Sequence, residues 1–106
     1  MNKPPGLAVL YVGDLSDSIH KLGITEHEGY RGSFTTAQAE GAIPNGSKVI
    51  KVLSKHGDAH ADGELATVLG SLMHPSNQGV LLYFVEWDTS PKYAVGIIGD
   101  KIKAVN

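Results

Sequence analysis

The chain has 106 residues, 42% of them hydrophobic and 19% charged, with no cysteine and a formal net charge of -2. That length suits one domain with a single core, and the composition is that of a folded domain rather than a disordered tail. It excludes disulfides, thiolate metal sites and cysteine nucleophiles, and it gives no large basic field for non-specific phosphate binding.

The chain begins "MNKPPGLAVLYVGD", with the apolar run Leu7 to Val12 held between a pair of prolines and Gly13-Asp14. The run is too short for a transmembrane helix, and it lacks the longer apolar region and small-residue cleavage site of a signal peptide. The expectation is a soluble cytoplasmic protein without membrane contact, in which "LAVLYV" forms a strand. "DLSDSIHKLG" (Asp14 to Gly23) predicts a short helix, with Ser16 as N-cap and Gly23 at its C-terminal end. "EHEGYRGS" reads as loop. "TTAQAEG" (Thr35 to Gly41) predicts a second short helix, capped by Thr35 or Thr36 and stopped by Gly41. Neither helix has a wide apolar stripe, so both are expected to act as surface connectors.

The second half is more regular. "SKVIKVL" (Ser47 to Leu53), "ELATVLGS" (Glu64 to Ser71), "VLLYFVEWD" (Val80 to Asp88) and "KYAVGII" (Lys92 to Ile98) are apolar, β-branched or aromatic, and turn residues separate them: Pro44-Asn45-Gly46, Gly57-Asp58 with Asp62-Gly63, Pro75 to Gly79, and Ser90-Pro91. They predict a four-strand meander. Ile102 and Val105 in "DKIKAV" add a one-turn helix or a short closing strand. Alternation along "LLYFVEW" puts Leu81, Tyr83, Val85 and Trp87 on one face and Leu82, Phe84 and Glu86 on the other. Both faces are largely apolar, so this strand is expected to be central, with its second face covered by the N-terminal third or by another subunit. Gly70 and Gly99-Asp100 mark candidate bulges or corners.

From about Ile43 onward the pattern resembles an SH3-like small barrel of the KOW or translation-protein type. The matching features are the opening strand "GSKVIKV", the long first loop into "DGELATVLGS", the long strand "LLYFVEWD" and the tight turn into "SPKYAVGIIGDKI". The phrase is also similar to a group of small, mostly uncharacterised bacterial proteins. The resemblance implies a mainly β fold: an SH3-like barrel over 43–106, preceded in the same domain by an extension, 1–42, carrying a strand and one or two short helices. KOW-type nucleic-acid binders usually line the first loop with basic residues. Here Lys55 stands beside Asp58, Asp62 and Glu64, which argues against nucleic acid as the partner.

"HGDAHAD" is the densest cluster of chemistry-bearing side chains. His56, Asp58 and His60 alternate, and imidazole with carboxylate suits a zinc-like ion if one strand face carries all three. The glycines around them favour a loop instead, in which Asp58 and Asp62 accept backbone N–H bonds and Gly57 and Gly63 take positive φ. Ser54, His56 and Asp58 have the residue types of a catalytic triad without its nucleophile elbow. Glu86 and Asp88 read as solvated strand-end charges, and the glycines form no phosphate-binding motif. Among the aromatics, Trp87, Tyr83 and Tyr93 flank the turn "DTSPK", where they are placed either to bind a ligand or to fill the core. The expectation is a non-catalytic binding or adaptor module without a cofactor. Its partner is a protein, a peptide or a small ligand, met through Trp87, Tyr83, Tyr93, Asp58 and His60. A homodimer is one way to bury the surplus apolar face. The alternatives are a metal-binding protein or metal-dependent enzyme using His56, Asp58 and His60, and RNA binding at the barrel rim.

Overall fold

The computed structural model describes residues 23–74 and 79–105. Each predicted apolar segment contains a strand: β1 Lys48–Lys51, β2 Leu65–Met73, β3 Leu81–Trp87 and β4 Ala94–Ile98. Of the two alternatives for the tail, Ile102 lies in the short closing strand, β5 Ile102–Ala104, and a 3-10 turn over Gly99–Lys101 precedes it. The five strands form one antiparallel sheet in the order β4-β3-β2-β1-β5. This sheet is not closed into a barrel. β4 and β5 are its two edges, and the short β5 uses its register entirely on β1.

β3 lies inside the sheet and is covered on both faces, as its two-sided apolar pattern requires. On one face Tyr83, Val85 and Trp87 pack with Val49, Ala66, Val68 and Ile102. On the other, Leu82 and Phe84 pack with Ile24, Phe34 and Ala94. The cover on the second face therefore includes the segment around 24–34, where Thr25 and Phe34 exchange both backbone hydrogen bonds at 3.1 and 3.0 Å. The predicted strand Leu7 to Val12 and the predicted helix as far as residue 22 lie outside the described residues.

The long strand β2 serves both cores by alternation, and a bulge between Val68 and Gly70 shifts its phase. Ala66 and Val68 belong to the first cluster, while Leu69 and Leu72 pack against the second. Two residues three apart cannot share a strand face under strict alternation, so the extra residue is what puts them there.

The second predicted helix is not formed. Residues 35–39 form no regular element and cross β2 at Gly70 and Ser71, and a turn follows. The polar groups that a helix would pair internally are engaged elsewhere. Ser71 N–H donates to the Ala37 carbonyl at 2.8 Å, Ala39 N–H donates to Ser71 Oγ at 3.0 Å, and Asn45 Nδ2 donates to the Thr36 carbonyl at 2.8 Å. A segment of this length has little helical stability of its own, so these tertiary bonds decide its path.

The same crossing fixes Tyr83. Its ring is buried in the first core and its hydroxyl accepts the Ile43 N–H at 2.9 Å. Tyr83→Phe leaves that amide without its acceptor and is expected to cost about 1–2 kcal/mol. A lower urea midpoint at unchanged slope is the result to look for. Among the described residues no helix is long and apolar enough to cross a membrane.

Candidate functional site

The loop joining β1 to β2 is folded around its own side chains. Lys51 and Glu64 close its base, with Lys51 N–H donating to the Glu64 carbonyl at 2.8 Å and Gly63 N–H donating to the Lys51 carbonyl at 3.0 Å. Asp58 Oδ2 accepts the Lys55 N–H at 3.0 Å, and Asp62 Oδ1 accepts the Ser54 N–H at 2.8 Å. Gly57 and Gly63 both take φ of +94°. This is the loop reading of "HGDAHAD", with the aspartates capping backbone donors and the glycines turning the chain.

Alternation along β1 points Lys51 the same way as Val49, into the first core, where it is only 3% exposed. A lysine so placed needs partners for its charge. Its Nζ donates to the Val52 carbonyl at 3.1 Å, to Ser54 Oγ at 2.8 Å and to Asp58 Oδ2 at 3.2 Å. Lys101, from the 3-10 turn, reaches the same carboxylate oxygen at 2.8 Å and the Leu53 carbonyl at 3.1 Å. Leu53 adopts φ of +53°, a left-handed conformation costly for a branched residue, and its carbonyl and that of Val52 both receive an ammonium group. The hydrogen bond from Lys101, then the Lys55 N–H and the Lys51 ammonium, hold the Asp58 carboxyl far below the usual carboxylate range. Ser54 lowers Asp62, and His60 with the Ala61 N–H lowers Glu64.

The tip of the loop folds back over β3. His60 Nδ1 lies 3.1 Å from Glu64 Oε1, and its ring stacks on Trp87 with centroids 4.1 Å apart and planes 14° from parallel. Beside this stack is a groove of about 270 Å³, lined by Trp87 and His60, by Val95 and Ile97 of β4, and by the two lysines. Asp58 lines it too. Trp87 is buried, and its indole Nε1–H has no hydrogen-bond partner among the described residues. An indole N–H is a donor that buried tryptophans usually satisfy.

Of the five residues singled out as ligand contacts, the structure thus brings Trp87, Asp58 and His60 to one groove. Tyr83 is a core residue, and its hydroxyl is committed to Ile43. Tyr93 does not line the groove; the Arg31 guanidinium lies over its ring at 5.0 Å, where the 31 and 93 backbones form a parallel bridge. Among the described residues no three His, Asp or Glu side chains come together as a metal site would require, and His56, Asp58 and His60 form no such group. Asp58 faces two ammonium groups, and His60 is engaged by Glu64 and Trp87. Lys51, Lys101, Val95 and Ile97 were missed as site residues. For Lys51 a signal was present, since "KVIKV" sets a lysine on the apolar face of its strand. No comparable signal marks Lys101.

Comparison with protein-family models, with curated proteins and with solved structures gives no match. The function must therefore be argued from the groove.

Proposed function

We propose that this protein is a small non-catalytic binding module, and that its ligand sits in the groove between the 55–64 loop and β4, against Trp87 and His60. The observation that carries the reading is the groove itself, about 270 Å³ and largely apolar, walled by the stacked Trp87 and His60 rings with the Lys51–Asp58–Lys101 ion network at its edge. Concave apolar sites with a few placed polar groups are the usual form of small-ligand sites. Asp58 is the groove's carboxylate, and its two lysines keep it ionised at neutral pH, which suits it to hold the loop and not to transfer protons. A likeness to the SH3-like fold, in strand order and without closure into a barrel, belongs to this proposal as well. Support for it comes from the four-strand meander β1 to β4, with a 3-10 turn leading into β5, which crosses to pair with β1 at the opposite edge.

The chain has a single tryptophan, so its indole N–H gives one unmistakable proton-nitrogen NMR signal. In a screen of small aromatic and aliphatic fragments, the binding fragments are expected to move that signal together with the amide signals of Val95 and Ile97. Binders that shift only residues remote from the groove would overturn the site.

A further inference from the structure

Resting on that reading, the charge of the groove and the donor left over on Lys101 specify the chemistry of the ligand. An ammonium group has three N–H donors. Lys51 uses all three on Val52, Ser54 and Asp58, whereas Lys101 uses two, on Leu53 and Asp58. The third Lys101 N–H has no partner among the described residues, and the Lys101 side chain is a quarter exposed. Charge points the same way. Two lysines and one aspartate line the groove, leaving one unit of positive charge in a chain whose overall charge is -2. The rest of the lining is the apolar surface of Val95, Ile97 and Ile98 beside the His60 ring.

We infer that the groove takes a small organic acid: a carboxylate that accepts from Lys101, attached to an apolar body that lies along Val95 and Ile97. A cationic ligand would meet the excess positive charge of Lys51 and Lys101 over Asp58, and a purely hydrocarbon ligand would leave the free Lys101 donor unused. Hydrogen bonds with one charged partner are strong and those with two are stronger, so the carboxylate rather than the body sets the preference among ligands of one shape.

The test is a titration with three probes of one shape and different charge: phenylacetate, phenylacetamide and phenethylamine. It follows the Trp87 indole N–H signal and the Val95 and Ile97 amides at low salt. Phenylacetate is expected to bind about tenfold more tightly than phenylacetamide, and phenethylamine more weakly than either. Lys101→Gln is expected to weaken phenylacetate about tenfold and phenylacetamide by much less, so that the two converge, a difference between probes that a merely unfolded variant cannot give. If the amide or the amine binds as well as the acid, the groove remains a binding site and the assignment of an acid falls. If none of the three moves the groove signals, both the acid and the binding reading are overturned. Should phenylacetate win in the parent protein but be indifferent to Lys101→Gln, the role of Lys101 is wrong. The comparison of probes on the parent protein stands even if that variant does not fold.

Discussion

Gly70→Ala is expected to destabilise the protein by about 3 kcal/mol, near the upper end for overpacking, and to lower its melting temperature by roughly 15 °C. A Cβ at this position would sit 1.8 Å from the Thr35 carbonyl oxygen and 2.7 Å from the Thr35 carbonyl carbon. Both are backbone atoms, so no side-chain rotation relieves the clash. The strand bearing Gly70 is tied on one side to Phe84 of β3, and the segment bearing Thr35 is tied to Ser71 by hydrogen bonds from both sides of the crossing. Relief requires lifting the 35–39 segment off the sheet, which breaks those bonds. By contrast, an alanine at Gly57 or Gly63 meets open space and only the backbone strain of a positive φ. Thermal and urea unfolding of Gly70→Ala beside Gly57→Ala decide the matter. An equal, small loss in the two variants would mean that Gly70 is a bulge glycine and not a point of backbone contact.

That contact also shows where the sequence stopped being legible. Strands announce themselves through alternation and turn residues, and β1 to β4 each lie in a segment with that pattern. The position of β3 within the sheet was readable as well, because a strand with apolar residues on both faces must be covered twice. The path of residues 35–39 was not readable. Thr, Ala, Gln and Glu are compatible with a helix when only local preference is considered, and what overrides it is a carbonyl fitted against a glycine more than thirty residues away. The groove was half legible for a similar reason. Asp58, His60 and Trp87 stand out by residue type, and "HGDAHAD" declares a turn-rich loop. The partners that give the groove its charge arrive through the fold, Lys101 from the turn after β4 and Lys51 from the inward face of β1. Tyr83 drew notice as an aromatic near the rim, but parity along β3 and the burial of its face make it core.

The ion network at the base of the loop is expected to respond very unequally to loss of its two sides. Removing Asp58 leaves Lys51, 3% exposed, with a charge and no carboxylate. Removing Lys51 leaves Asp58 at a more open position, still held by Lys101 and the Lys55 N–H. Breaking a buried pair is costly when the group left behind is a buried charge, whereas replacing a buried ion by a well-packed apolar side chain is often neutral. Lys51→Met is therefore expected to stay within about 1 kcal/mol of the parent protein. Asp58→Asn is expected to be the clearly worse variant, and adding Lys51→Met to it should recover much of the loss. The acid limb of stability carries the same information. The folded pKa of Asp58 is lowered, so its contribution is fully present above the unfolded carboxylate value, roughly 4, and is lost as pH falls toward the folded value. Asp62 and Glu64, lowered as well, add to the loss in the same direction. Urea unfolding between about pH 6 and pH 2 should show the parent protein losing stability on acidification more steeply than Asp58→Asn, so that the two curves approach each other. Parallel curves, or a Lys51→Met variant as damaged as Asp58→Asn, would mean that the lysine is held by its carbonyl and hydroxyl partners and that Asp58 only caps the turn.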